Sequence, residues 1–311
     1  MLLSLRVGSV SLTTGQVVGA FLDFDGSNAH LIVRSLRLPR TIIGLGVGGA
    51  LAVAGVVMQA VTRNALASPA ILGVNAGAAF AVVTAVFVAG ITAAAYLWFA
   101  FAGALGAAVL VYLIGSVGPS GATPVKLALA GAVLTALLGA WISTVLVLDQ
   151  RSLDEVRFWL AGSLAGRELS VFVQVAPFLA VGLLVGLGMA RSLNTIALGE
   201  DVAAGLGQNV VLVRAAAAAT VVLLAGSAVA VAGPIGFVGL AVPHALRTVV
   251  GPDHRWLLPL SAVAGPVLLL GADVVGRIVA RPSEVQVGIV TAIVGAPVLV
   301  HLVRSRRLGE L

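Results

Sequence analysis

Apolar positions along this chain fall into long unbroken runs, with neither the two-residue alternation of a half-buried strand nor the narrow stripe of a soluble amphipathic helix. Nine such runs are visible, at 41–61, 70–90, 93–115, 125–148, 171–190, 211–232, 237–250, 256–276 and 286–303, each flanked by charge, glycine or proline. A bilayer core of about 30 Å needs roughly 20 residues of helix, so the runs predict nine membrane-spanning segments. The run 237–250 is shorter, about 14 residues or roughly 21 Å of helix. It is entered through Gly233-Pro234-Ile235-Gly236. Irregular backbone at that depth is tolerated only where protein surrounds it. Residues 1–40 differ in kind: they carry Asp23, Asp25, Arg34, Arg37 and Arg40 and no run of spanning length. The pattern therefore predicts an extracytoplasmic N-terminal segment over 1–40 and a single transmembrane domain over 41–311. The stretch Met1 to Gly8 is too short in its apolar part to be a secretory signal.

Composition strengthens this reading. The 311 residues are 60% hydrophobic and only 10% charged, with a mean hydropathy of +1.13. A soluble domain carries about a quarter charged residues. The expected fold class is all-α, a polytopic membrane helical bundle. An aromatic content of 5% and 38 glycines suit closely packed helices better than an outer-membrane barrel with aromatic girdles. The chain has no cysteine, which excludes disulfides, thiolate metal sites and cysteine nucleophiles. A net charge of +6 is small for this length, and no nucleic-acid partner follows from it.

Charge placement adds more. With the 62–69 loop in the cytoplasm, the 18 Lys and Arg divide evenly between the two faces. The positive-inside rule leaves the orientation open. Arginine on the outer face then calls for an acidic partner there, the alternative being loops solvated by any available charge. Ion-driven carriers keep titratable groups inside their helices, yet here His244, Arg247 and Asp273 are nearly the only ionisable residues within the runs. A phosphate-cradling G-x-x-x-x-G-K-[ST] is also missing, because Val125 precedes the only lysine, Lys126. Uphill work would therefore draw its energy from another chain. The inner loop 191–210 is suited to receive it. There Gly199 can cap a short helix, Glu200 and Asp201 oppose the helix dipole, and Gly205 to Gly207 end it. Leu198, Val202, Ala203 and Leu206 fall on one face, apt for a groove on a soluble partner. A helix lying on lipid would carry basic rather than acidic residues on its polar side.

These residues sit in blocks that resemble the FecCD-type permeases, the membrane subunits of ABC importers for ferric siderophores, haem and cobalamin. The blocks are Arg37-Leu38-Pro39-Arg40, Gln59, Arg63-Asn64-Ala65-Leu66-Ala67-Ser68-Pro69 and Leu72-Gly73-Val74-Asn75-Ala76-Gly77. Trp159, Gly162 and Ser163 follow, then Leu193-Asn194 through Leu206-Gly207. The strongest is Gly233-Pro234-Ile235-Gly236-Phe237-Val238-Gly239-Leu240-Ala241-Val242-Pro243-His244 with Arg247, Asp253-His254-Arg255, Asp273, Arg277, Glu284 and Gly288.

The resemblance implies ten helices per subunit and a pair of permease subunits, identical or paralogous, around one path. It also implies two cytoplasmic ATPase subunits that hold ATP and magnesium, and an extracytoplasmic binding protein that delivers the chelate. It places the chain in the bacterial inner membrane, with no catalytic residue, metal site or cofactor of its own. Arg37, Arg40 and Arg277 are then the residues that dock the binding protein. Leu198, Gly199, Glu200, Asp201, Val202 and Leu206 form the ATPase-coupling segment. Asn64, Leu66 and Thr123, the last in the Ser120 to Thr123 loop, are cytoplasmic gate positions. The expected cargo is a ferric siderophore, with haem or cobalamin as alternatives. A stand-alone gradient-driven carrier is the reading from another class, and a membrane-embedded enzyme lacks any constellation of nucleophile, acid or metal ligands.

Three departures accompany the resemblance. Ala65 stands where proline is usual, Gln286 replaces a common proline, and the family's first helix would end near Leu3 to Gly8. The last leads us to expect a start assigned too far downstream, a shortened subunit being the alternative. Among single residues, His244 reads as a substrate ligand or as an interface histidine. Asp273 and Arg277, at i and i+4, can pair with each other or serve docking. Asp154, Glu155, Arg157 and Glu168 read as a solvated outer loop.

Overall fold

The computed structural model describes residues 1–8, 10–92, 95–118, 123–281 and 283–304, without the side chains of 124, 298, 299 and 301–304. Among these residues every regular element is helical. In chain order they are α1 (Leu2–Arg6), α2 (Thr14–Leu22), α3 (Asn28–Leu31), a π-helical segment (Ile32–Arg37), α4 (Leu38–Thr62), a 3-10 turn (Pro69–Leu72), α5 (Val74–Ala89), α6 (Tyr96–Gly115) and α7 (Pro124–Leu148). There follow α8 (Gln150–Leu160), α9 (Leu169–Gly188), α10 (Ala190–Ala197), α11 (Glu200–Gly205), α12 (Val210–Ala232), α13 (Val238–Val250), α14 (His254–Val279) and α15 (Val287–Arg304). Every apolar run of the sequence forms a helix. Among the described residues six helices are long and apolar enough to cross a membrane, while Val74–Ala89, Val238–Val250 and Val287–Pro297 are shorter apolar helices.

The boundary expected at residue 40 falls inside continuous helix, since Asn28–Thr62 runs on for 35 residues. Arg34, Arg37 and Arg40 therefore stand on helix and not in a loop. Ahead of it, a capping box at Thr13 and Gln16 starts α2. Leu5, Leu12, Val17, Ala20 and Val33 form a small core of their own beneath this outer end. Two further helices lie where loops are expected. Asp149 accepts from the Ser152 amide at 2.9 Å and starts α8, so Asp154, Glu155 and Arg157 belong to a helix. Leu193 and Ile196, both fully buried, anchor α10.

The bundle is organised around α4 and α12, whose apolar windows are 83% and 72% buried against 17% for α7. Small residues allow this, because packing without a hydrophobic drive between helices depends on close backbone approach. A methyl group on Gly55 would lie 1.9 Å from the Gly239 carbonyl oxygen, and one on Gly48 would lie 2.7 Å from Pro266 Cα. The motif at 233–237 closes a similar contact. Ser163 N donates to the Ala232 carbonyl at 2.8 Å, and Gly288 N donates to the Gly162 carbonyl at 3.0 Å. Gly233 at φ +74 leaves no room for a side chain beneath the Trp159 carbonyl, 2.0 Å from where a Cβ would stand. The Trp159-Gly162-Ser163, Gly233-Pro234 and Gly288 blocks, far apart in sequence, thus form one packing node.

Candidate functional site: an outer arginine cluster and an inner coupling face

At the end of the bundle where α4 begins and α14 finishes, two arginines converge on two carboxylates. Arg40 donates through Nη2 to Asp273 Oδ1 at 2.6 Å and through Nη1 to Glu284 Oε2 at 2.6 Å. Arg277, one helical turn after Asp273, donates its Nε to Asp273 Oδ2 at 3.0 Å and its Nη2 to the same oxygen. Asp273 is wholly buried. Two guanidinium groups on one carboxylate are the arrangement that a charge removed from water requires. The i to i+4 pairing read as one alternative for Asp273 and Arg277 is therefore present.

The same arginines hold the N-terminal segment. Arg277 Nη1 donates to the Ser4 carbonyl at 2.8 Å and the Val7 carbonyl at 3.1 Å, and Arg281 Nη2 donates to the Gly8 carbonyl at 2.6 Å. Arg37 Nη1 donates to the carbonyls of Leu5 and Arg6, each at 2.8 Å, and Nη2 to that of Val10. These contacts change the expected picture of the outer arginines. Arg37 and Arg277 are 5% and 1% exposed, so they are not surface charges. In an apolar surround a guanidinium turns to whatever acceptors lie nearest, and here these are backbone carbonyls and Asp273.

An opening remains beside them. A cavity of about 600 Å³ is lined by Arg37, Arg40, Arg167, Glu168, Arg277 and Glu284. Arg167 donates its Nε to the Ser163 carbonyl at 3.2 Å. Among the described residues no carboxylate forms a salt bridge with it. Burial lowers its pKa from the ordinary arginine value. The cavity wall thus offers more positive than negative charge to an entering group.

The opposite end carries the residues expected from the sequence to serve coupling and the gate. Helix α11 spans six residues and starts at Gly199, whose φ of +112 only glycine adopts readily. Leu198, Val202 and Leu206 are 63%, 50% and 67% exposed, whereas Ala203 is fully buried. The apolar face expected from the sequence is therefore split: Ala203 packs inward and the other three face out. Asp201 is exposed, while Glu200 pairs with Arg214 at the start of α12. Gln208 Nε2 donates to the Ser192 carbonyl at 3.2 Å, tying the end of α11 back to α10.

At the expected gate positions Asn64 Oδ1 accepts from the Leu66 amide at 2.9 Å, just after Arg63, whose left-handed conformation (φ 50) ends α4. Thr123 caps α7. Ser120 to Ala122 lie outside the described residues; Asn64 and Leu66 meet in one turn.

Two contacts at this end were not read from the sequence. Arg247 Nη1 donates to Gln59 Oε1 at 2.6 Å, joining α13 to α4. Asn194 joins α10 to the start of α14 through Asp253 and His254. Each pairs residues from separate motif blocks, and no spacing rule connects partners 188 or 59 positions apart. His244 has a buried Nδ1 without a partner among the described residues. No group of three or more His, Cys, Asp or Glu suited to a metal occurs among the described residues.

Known proteins resemble this chain throughout its length. Residues 1–305 match the FecCD transport family. The ferric enterobactin transport system permease protein FepD of Escherichia coli is 45% identical over 309 residues, covering 99% of this chain and 92% of that protein. The Fe(3+)-citrate import system permease protein YfmD of Bacillus subtilis is 43% identical over 305 residues, covering 98% and 91%. The cobalamin import system permease protein BtuC of Halobacterium salinarum is 42% identical over 284 residues, covering 91% and 76%. A solved metal-chelate type ABC transporter in an inward-facing conformation superposes with a TM-score of 0.84 at 30% identity, covering 98% of this chain and 94% of that one.

Proposed function

The chain belongs to the FecCD transport family, and from that membership we propose that it carries a ferric siderophore inward, delivered by an extracytoplasmic binding protein and driven by two separate ATPase subunits. At the coarser level it is a multi-pass membrane protein and a permease subunit of a metal-chelate ABC importer. Similar identities to permeases for ferric enterobactin, ferric citrate and cobalamin leave overall likeness unable to choose the chelate. The siderophore assignment rests on the iron chelates among these relatives. The bacterial inner membrane is the location this reading requires.

The observation that carries the coupling role is the exposed triad Leu198, Val202 and Leu206 on a glycine-bounded helix braced by Glu200 and Arg214. Apolar side chains held out at a helix end, beside the exposed acid Asp201, suit a groove in a soluble protein better than an anionic lipid surface. Gly199 gives the helix its turn, and Asn64, Leu66 and Thr123 lie in the loops we assign to the inner gate. At the other end, Arg37, Arg40 and Arg277 serve docking by holding the wall of the outer cavity, into which an acidic side chain of the binding protein would reach. The sparsely buried face of α7, with Leu129, Val133 and Leu137 exposed, suits the second permease subunit.

Transport is alternation between outward and inward access, biased by ATP-dependent contacts at the coupling helix. The test is uptake of a radiolabelled ferric siderophore by liposomes holding this chain with the ATPase and binding protein of its own operon. Uptake requiring both ATP and the binding protein is the expected result. Uptake driven by a proton or sodium gradient without ATP would refute the reading, and ATP-driven uptake of haem or cobalamin alone would replace the cargo.

A further inference from the structure

Helix α10 connects the membrane bundle to α11, and the side chain of Asn194 supplies its polar tie to α14. Asn194 Nδ2 donates to Asp253 Oδ1 at 2.6 Å, while Asn194 Oδ1 accepts from the His254 amide at 2.9 Å and lies 2.7 Å from His254 Nδ1. An amide oxygen can only accept, so the proton of that last contact sits on His254 Nδ1. Asp253 Oδ1 also accepts from the Arg255 amide at 2.9 Å and caps α14. Asn194 thus uses both ends of its amide on the first turn of α14.

The two neighbours of this contact matter as much as the contact. On one side, α11 is braced to α10 through Gln208 and to α12 through Glu200 and Arg214. Leu198, Val202 and Leu206 therefore stand on a segment tied to both α10 and α12 and not on a loose loop. On the other side, α14 is a single helix of 26 residues that leads from Asp253 to Asp273. At 1.5 Å per residue the two acids stand about 30 Å apart along it. Asp273 receives Arg40 and Arg277, and Arg277 in turn holds the Ser4 and Val7 carbonyls. One helix therefore carries the anchor of the coupling segment at its inner end and the arginine cluster at its outer end.

We propose that Asn194 is a positioning residue for energy coupling, clamping the coupling segment to the start of α14 so that displacement of α11 reaches the outer arginine cluster along that helix. The proposal rests on the importer reading above, and it goes further by naming the route and the residue. An aliphatic side chain at 194 would leave α10 packed through Leu193 and Ile196 while removing its polar tie to α14. The coupling helix would still meet its ATPase, but its motion would no longer be delivered.

The experiment uses the full complex of permease, ATPase and binding protein in liposomes, and measures chelate transported per ATP hydrolysed. Asn194→Ala is expected to lower that ratio about tenfold or more, the size set by losing hydrogen bonds to a charged group, while ATPase co-purification and basal hydrolysis persist. Asn194→Asp alone sets a carboxylate against Asp253 and should uncouple as well. Combining it with Asp253→Asn supplies an amide Nδ2 to donate to the new carboxylate, which still accepts from His254, while the amide Oδ1 must turn to keep the Arg255 amide that Asp253 Oδ1 also accepts in the parent. The double variant should raise the ratio at least about threefold above Asn194→Asp. A merely structural role would lower uptake and hydrolysis together and leave the ratio unmoved. If Asn194→Ala fails to assemble, the comparison of Asn194→Asp with the double variant decides the same question. An unchanged ratio in the single variants, or no recovery in the double, overturns the clamp. ATP-independent uptake by the parent complex overturns the importer reading instead.

Discussion

Replacing Asp273 by asparagine removes one charge from the centre of the outer cluster at nearly constant volume. The parent carboxylate is wholly buried and serves two guanidinium groups, those of Arg40 and Arg277. Removing one partner of a buried pair costs about 3–5 kcal/mol, because the remaining charge stays desolvated. The structure points to the lower end of that range. Arg40 keeps Glu284, whose side chain is 32% exposed, and Arg277 keeps the carbonyls of Ser4 and Val7. A loss of about 3 kcal/mol corresponds to roughly a hundredfold in the folding equilibrium. Denaturant unfolding in mixed micelles, followed by tryptophan fluorescence, would read it. Asp273→Asn combined with Arg40→Met removes equal and opposite charge, and Glu284 is exposed enough to be hydrated. That double variant should recover at least about 1 kcal/mol of the loss. A single variant within about 0.5 kcal/mol of the parent, or a double variant as unstable as the sum of its singles, would refute a charge-compensated cluster.

Three further outcomes follow from the same geometry. Gly55→Ala forces a methyl group against the Gly239 carbonyl and should destabilise by about 1–3 kcal/mol or more. Gly188→Ala, with nothing within 4 Å of the added methyl, should leave the midpoint of the same unfolding curve nearly unchanged. Leu206→Asp or Val202→Asp, at exposed positions, should abolish ATP-driven uptake in vesicles without lowering the unfolding midpoint, whereas Ala203→Asp should lower that midpoint because the site is buried. The pKa of Asp253 lies below the ordinary carboxylate value, first through the Arg255 amide and then through Asn194. A carboxylate with a lowered folded value contributes stability above its unfolded pKa of about 3.9 and loses it as pH falls through the folded value. Acid titration of the unfolding midpoint should therefore show a loss below about pH 4 that Asp253→Asn removes.

How much was legible in the chain differs between its two ends. Residues 198–207 could be read locally, because glycine placement, acidic first-turn residues and helical spacing are short-range signals. Only the direction of Ala203 was missed: a helix of six residues has too few turns for its pattern to separate an inward side from an outward one. The outer arginines were legible as a group but not in their state. Arg37 and Arg277 look alike in sequence to Arg34 and Arg281, yet the first two are buried and the last two exposed. That difference depends on where residues 4–8 lie against α14, a contact across some 270 positions. Helices α8 and α10 were read as loop because their charged or polar faces break the apolar run. The Asp149 cap of α8 and the buried Trp159, Leu193 and Ile196 are the signals that identify them.

By itself the sequence determined the medium, the apolar helices and the ends of most of them. Each follows from local chemistry: apolar runs that only a bilayer accommodates, and glycine, proline and capping residues that stop a helix. Tertiary structure alone decided which helices form the centre, how three motif blocks meet at Gly162, Gly233 and Gly288, and which arginines are charges on a surface and which are buried ties. Those outcomes are set by close backbone approach and by the nearest available acceptor. Both are properties of neighbours brought together by the fold.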